Sequence, residues 1–130
     1  MHNDEHLTGR IIGLAIEVHK ALGPGLLESA YEECLSLEFR SAGLQYERQA
    51  LLPVSTKGMT LGSGYRMDLV VEKRVVVEVK SAETILPVHQ AQLLTYLRLS
   101  GIPNGLLLNF YSAVLRDGIR RVTLSREAPL

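Results

Sequence analysis

The chain has 130 residues, close to the commonest size of a single domain. Its 46% hydrophobic and 22% charged residues are typical of a folded globular protein, and 14 Lys and Arg residues balance 14 Asp and Glu residues. Net charge therefore gives no support for nucleic-acid binding. The single cysteine, Cys34, excludes an internal disulfide, and no apolar run approaches the ~20 residues that span a membrane. Because the N-terminus is also polar, we expect one cytoplasmic domain over residues 1–130, with no membrane segment.

The first part of the chain predicts two helices and a strand. Apolar residues recur at helical spacing over 8–22, and the Gly-Pro-Gly segment at 23–25 ends that helix. A second apolar stripe predicts a helix over 26–41, which Gly43 terminates. The pattern then changes to the two-residue alternation of a strand over 44–55.

The remainder of the chain predicts strands around one further helix. Glycines at 56–64 indicate a turn or loop. A helix is predicted over 86–101, because Pro87 suits its first turn and Gly101 its end. Alternating or continuous apolar patterns predict four more strands, and the segment at 116–118 predicts a turn before the last of them. These strands are 65–72, 75–81, 104–111 and 119–125.

The predicted element order is α-α-β-β-β-α-β-β. A helix connects strand 75–81 to strand 104–111, and such a crossover usually makes the two strands parallel. Short hairpins make their neighbours antiparallel. The sequence therefore predicts an α/β fold with a mixed sheet flanked by helices.

The strand 75–81 carries two charged residues among its valines. Glu78 and Lys80 are two residues apart, so they share one face of the strand. Asp68 lies on the preceding strand, and its position depends on the hairpin turn. A two-residue turn at 73–74 would put Asp68 and Glu78 on opposite faces, whereas a three-residue turn at 72–74 would place them directly opposite each other. In the simplest alternative these charges form exposed surface ion pairs, each worth about 0–1 kcal/mol.

If the two carboxylates oppose each other, they suit a divalent-metal site. Carboxylate oxygens are the ligands that Mg²⁺ and Mn²⁺ prefer, and a cation would offset the repulsion between Asp68 and Glu78. Lys80 on the same face would stabilise negative charge that develops on a phosphate. The hypothesis is a site for hydrolysis of a phosphodiester, with Mg²⁺ or Mn²⁺ as the cofactor.

Two motifs carry a resemblance to a known family. The pair "MD" at 67–68 followed by "EVK" at 78–80 resembles the core of the PD-(D/E)XK nuclease superfamily, although Met67 replaces the proline of the motif's name. The segment "GLLESAY" at 25–31 resembles the signature of the GxxExxY proteins, with Gly25, Glu28 and Tyr31 in the named positions. The resemblance implies a restriction-endonuclease-like α-β-β-β-α-β core with an extra N-terminal helix and a C-terminal strand.

The resemblance also implies roles for individual residues. Asp68, Glu78 and Glu28 become the metal ligands, and Lys80 becomes the catalytic lysine. The segment "QLLTY" at 92–96 resembles the Q-x-x-x-Y motif of RecB-like exonucleases, which adds Gln92 and Tyr96 to the candidate catalytic residues. These two are four residues apart and share one helix face. For Glu28 alone, a position in the first turn of a helix is also explained by the helix dipole.

The implied activity is a metal-dependent nuclease that hydrolyses the phosphodiester bonds of nucleic acid, with DNA favoured over RNA. A homodimer is also expected, because small nuclease cores that act on a duplex often work in pairs. The alternative is a catalytically silent nuclease-fold module that binds nucleic acid or a protein partner. The neutral net charge and the small size of the chain favour this alternative.

Overall fold

The computed structural model describes residues 4–124, apart from the side chains of 61–63. Two helices come first, α1 (Glu5–Leu22) and α2 (Glu28–Ser41). Three strands, one helix and two further strands then follow: β1 (Tyr46–Thr56), β2 (Met59–Val71), β3 (Val75–Lys80), α3 (Pro87–Ser100), β4 (Asn104–Asn109) and β5 (Ile119–Thr123). The predicted order of elements is confirmed. The predicted end of the last strand, residue 125, lies outside the described residues.

The five strands form one mixed sheet in the order β1-β2-β3-β4-β5. Strands β3 and β4 are parallel, as expected from the crossover through α3, and the other neighbouring strands are antiparallel. The α/β fold with a mixed sheet flanked by helices is therefore confirmed. Within residues 4–124 no helix is both long and apolar enough to cross a membrane.

Two hydrophobic clusters cover the two faces of the sheet. The valines at alternate positions of β3, Val75, Val77 and Val79, pack against α1 and α2 together with Leu69 of β2. On the other face, Val76 packs with residues of α3. Both faces of β3 are thus covered, which explains the nearly continuous apolar sequence of this strand.

Two turns differ from the sequence-based expectation. The predicted loop at 56–64 is wrong, because β2 begins at Met59 and only Lys57 and Gly58 form the turn. The pairing of β1 with β2 shifts register between Leu52 and Val54, and Gly64 permits the close approach there, since a Cβ would lie 3.0 Å from the Leu52 carbonyl oxygen. The predicted turn at 116–118 is a short 3₁₀ helix, Leu115–Gly118.

Candidate active site

The turn between β2 and β3 decides where the acidic residues lie. It contains three residues, 72–74, because Val71 pairs with Val75 and Leu69 pairs with Val77. Glu72 and Lys73 hold the turn with left-handed backbone angles, φ of 53° and 57°. Of the two registers that the sequence left open, the structure has the one that places Asp68 opposite Glu78.

The carboxylates of Asp68 and Glu78 each accept a hydrogen bond from a backbone N–H of the neighbouring strand. The regular β2–β3 ladder ends at Leu69 and Val77. Beyond it, the Asp68 backbone N–H donates to Glu78 Oε2 at 2.8 Å, and the Val79 backbone N–H donates to Asp68 Oδ2 at 2.8 Å. We call this reciprocal pair of bonds the carboxylate clasp. It replaces backbone-to-backbone bonds and leaves each residue one further carboxylate oxygen.

Burial changes the protonation of both acids. Glu78 is only 4% exposed, and this burial, together with the charge of Asp68, raises the pKa of its carboxyl to about 8. Burial also raises the pKa of Asp68. The nearby Lys80 ammonium lowers both pKa values but does not offset the burial. These residues are therefore not solvated surface ion pairs, and without a cation their surroundings favour the protonated form of Glu78.

The donor set fits a hard divalent cation. Asp68 Oδ1 has only a long 3.4 Å contact, with Gln49 Nε2, and no described hydrogen bond reaches Glu78 Oε1. Two neighbouring carboxylate oxygens are suited to Mg²⁺ or Mn²⁺, and a bound cation would favour the charged form of both acids. In the described part of the chain no three His, Cys, Asp or Glu side chains are grouped to hold a metal. Other ligands would therefore come from water and from a phosphate.

Glu28 lies beside this pair but is not grouped with it. Its Oε2 accepts the backbone N–H of Ser81 at 3.1 Å, and its side chain is exposed at the start of α2. Ser81 directly follows Lys80, so Glu28 borders the end of strand β3 where the lysine lies. The structure therefore places Glu28 at the edge of the site, and its role as a third metal ligand stays a prediction.

Lys80 is positioned by the chain that follows it. The buried Asn109 holds Ala82 with two hydrogen bonds, accepting its N–H at 3.1 Å and donating to its carbonyl at 2.8 Å. The Ser81 hydroxyl donates to the Leu26 carbonyl at 3.0 Å. Within residues 4–124 the Lys80 ammonium itself makes no described hydrogen bond or ion pair. Its backbone is thus fixed while its charge is available to a ligand.

The two residues of the Q-x-x-x-Y segment on α3, Gln92 and Tyr96, have different surroundings. Tyr96 is buried, and burial followed by the charges of Glu78 and Asp68 raises the pKa of its hydroxyl. Tyr65, which is exposed on β2, lies beside it with ring centroids 6.2 Å apart. Gln92 is half-buried one turn earlier on α3, and no hydrogen bond of its side chain is described in residues 4–124. Tyr96 therefore lies within electrostatic range of the two acids, whereas no described contact in residues 4–124 links Gln92 to them, and the catalytic roles of both stay predictions.

Tyr31 of the GxxExxY segment holds the loop before α2. Its ring is fully buried and stacks on Phe110, with centroids 4.4 Å apart. Its hydroxyl donates to the Gly23 carbonyl at 2.5 Å and accepts the Leu26 N–H at 3.1 Å. The tyrosine therefore supports the loop that leads to Glu28, and it does not face the acidic pair through any described contact in residues 4–124.

We predict that Tyr31→Phe lowers the free energy of unfolding by about 1–2 kcal/mol, because it leaves two loop groups without their partner. Chemical denaturation measures this change. Tyr111→Phe is the control, since Tyr111 is 46% exposed. Equal stability of the two variants would contradict the role assigned to the Tyr31 hydroxyl.

Sequence reasoning missed three residues of the site. Glu32 lies one helical turn after Glu28 and is 6% exposed. Its carboxylate accepts Arg48 Nε at 3.1 Å and Gln49 Nε2 at 2.6 Å, and its charge raises the pKa values of Asp68 and Glu78. The spacing of four between Glu28 and Glu32 was a signal available in the sequence. No sequence signal marked Arg48 or Gln49.

The fold and the site define a nuclease-like class of protein, with an Asp on one strand opposed to a Glu-x-Lys on the next. A family model for the PD-(D/E)XK nuclease superfamily matches residues 5–122. The chain therefore belongs to the PD-(D/E)XK nuclease superfamily. No curated protein and no solved structure gives a significant match.

Proposed function

We propose that this protein is a Mg²⁺- or Mn²⁺-dependent nuclease that hydrolyses phosphodiester bonds, with DNA as the favoured substrate. The observation that carries the proposal is the opposition of Asp68 and Glu78 beside Lys80, with both acids raised in pKa. Membership of a superfamily whose nucleases typically use divalent metal ions supports it. The Gly25, Glu28 and Tyr31 segment leads us to place the chain among the GxxExxY proteins.

The candidate site residues have separate roles in this proposal. Asp68 and Glu78 would hold the metal, which supplies a Lewis acid for the phosphate and lowers the pKa of water. Lys80 stabilises the negative charge that develops on the phosphate oxygens, in a site partly shielded from water. Glu28, at the start of α2 beside the end of β3, would add a third carboxylate, and water and the phosphate would complete the ligand set.

Aromatic residues beside the acids fit a nucleic-acid substrate. Tyr65 is 54% exposed and lies next to the buried Tyr96. An exposed ring can stack on a base of any sequence, and such stacking is worth about 1–3 kcal/mol per base. In this proposal Tyr65 binds an unpaired base, Tyr96 supports that ring, and Gln92 approaches the substrate once it is bound.

The nuclease proposal is tested by cleavage of single- and double-stranded DNA and RNA with Mn²⁺, with Mg²⁺ or with EDTA. We expect DNA cleavage only with metal, and its loss in Asp68→Asn and Glu78→Gln. These substitutions keep an acceptor oxygen for the carboxylate clasp, so the variants remain folded, whereas alanine would remove it. Salt-sensitive binding without cleavage in the wild type would instead favour the binding module.

We also propose a cytoplasmic homodimer, because small nuclease cores that act on a duplex often work in pairs. Sedimentation equilibrium with and without a DNA duplex tests this state. A monomer under both conditions would remove the dimer from the proposal without affecting the chemistry.

A further inference from the structure

The side chains of strand β1 change from one face of the sheet to the other at Gln49. Arg48 pairs with Leu69, which packs against α1 and α2, whereas Ala50 pairs with Met67 and both of these pack on the α3 side. Residues 48 and 50 of a regular strand would face the same side. Gln49 lies between them with a φ of 55°, a left-handed angle that is uncommon for a residue other than glycine. Its partner β2 also changes faces at this step, between Leu69 and Met67, and Gln49 is the residue here with a left-handed backbone.

The inversion brings two neighbouring side chains to one carboxylate. Arg48 Nε reaches Glu32 Oε2 at 3.1 Å, and Gln49 Nε2 reaches Glu32 Oε1 at 2.6 Å. Adjacent residues of a regular strand point to opposite faces and could not both do so. The same Gln49 nitrogen lies 3.4 Å from Asp68 Oδ1. One uncharged amide group therefore stands between two carboxylates.

We propose that Gln49 is a positioning residue of the metal site, which fixes Asp68 and Glu32 relative to each other; this rests on the proposed nuclease function. An amide NH₂ has two hydrogens, so it can donate to both carboxylates at once. Asp68 Oδ2 is already held by the Val79 N–H, and Gln49 restrains the remaining oxygen, Oδ1. Since the amide carries no charge, it orients this oxygen without replacing a cation.

A purely structural role for Gln49 would not account for its left-handed backbone. The buried Glu32 carboxylate already has the Arg48 guanidinium as its charge partner, so its burial does not require a left-handed residue at position 49. Strained backbone conformations persist at functional sites, where they hold a group in place. The strained residue here lies between Arg48 and Ala50, whose partners Leu69 and Met67 flank Asp68 on β2.

The first test compares two variants that separate strain from hydrogen bonding. Gln49→Met keeps the length of the side chain but has no N–H, and Gln49→Gly also removes the strain of the left-handed backbone. Lys57→Gly is the control, because Lys57 is likewise left-handed (φ 52°) but lies in the β1–β2 turn. Calorimetric Mn²⁺ binding and thermal unfolding are measured on each.

We expect both Gln49 variants to bind Mn²⁺ about tenfold more weakly, as is usual when a partner of a metal ligand is removed. Gln49→Gly should unfold at a higher temperature than Gln49→Met, since only glycine relieves the strain. The affinity loss is therefore expected to be independent of stability, and Lys57→Gly should bind as the wild type does. Wild-type affinity in either Gln49 variant would overturn the proposal, as would a loss that follows the unfolding temperature.

A second measurement needs neither metal nor activity. In the ¹H–¹⁵N spectrum of the metal-free protein, the side-chain amide signals of Gln49 should shift in both Asp68→Asn and Glu32→Gln, while those of the exposed Gln90 should not. If the wild type binds no Mn²⁺, the nuclease proposal fails, and this spectrum alone decides the positioning role. Gln49 signals that do not respond to Asp68→Asn would overturn it.

Discussion

Replacing Lys80 by methionine is expected to lower metal-dependent cleavage by about 100- to 1,000-fold, the usual effect of removing one group that stabilises transition-state charge. Binding of Mn²⁺ should change much less. Loss of the ammonium removes a repulsion toward the metal, but it also favours the protonated forms of Asp68 and Glu78. Because these two effects oppose each other, we expect the Mn²⁺ dissociation constant to stay within about fivefold of the wild-type value.

Single-turnover cleavage and calorimetry on the same samples check this result. Lys20→Met is the matched control, since Lys20 is an exposed lysine in the last turn of α1. A Lys80→Met protein that cleaves as fast as this control would remove Lys80 from the reaction. A variant that loses metal binding as strongly as cleavage would assign the lysine to the integrity of the site instead of to the chemical step.

The metal-free protein is expected to lose stability as the pH rises. The pKa of Glu78 is about 8 in the folded state and lies near 4.5 when the carboxyl is unperturbed, so the folded protein binds the proton more tightly. Stability from this group is fully present below about pH 4.5 and is lost as the pH rises through about 8. The loss is limited to about 1.4 kcal/mol for each pH unit in that window. The raised pKa of Asp68 acts in the same direction.

Denaturant unfolding in EDTA across this pH range measures the effect. Glu78→Gln should flatten the profile, because glutamine keeps an acceptor for the Asp68 N–H but does not titrate. Glu38→Gln, an exposed acid on α2, should leave the slope unchanged. Added Mn²⁺ should reverse the trend, since the ion binds the deprotonated carboxylates and its affinity rises with pH. A Glu78→Gln profile as steep as that of the wild type would contradict the assignment.

The sequence predicted the element order because each element has its own periodicity, but it left the register of one hairpin open. The choice between a two-residue and a three-residue turn depends on whether Glu72 and Lys73 adopt left-handed angles. Neither residue type favours that conformation by itself, so no local rule selects it. Packing of Val75 and Val77 against α1 and α2 selects the register, and that packing exists only in the folded protein.

The candidate site was predictable to the extent that it depends on spacing. Glu78 and Lys80 share a face by strand alternation, and Glu32 could have been added to Glu28 by helical spacing. Gln49 could not have been found in this way, because alternation places it on the face opposite to Arg48. The left-handed backbone that overrides this rule is visible only in the structure.

The carboxylate clasp predicts which site residues a catalytically inactive relative would retain. Asp68 and Glu78 supply the hydrogen bonds that join β2 to β3 beyond the end of the regular ladder. A descendant that had given up the chemistry would still need acceptor oxygens at both positions to keep the sheet closed. Lys80 makes no described hydrogen bond or ion pair in residues 4–124. Its replacement would therefore cost the folded protein less stability than loss of either acceptor. In this architecture an inactive descendant is expected to keep an acceptor side chain at positions 68 and 78, as Asp, Asn, Glu or Gln, and to lose Lys80.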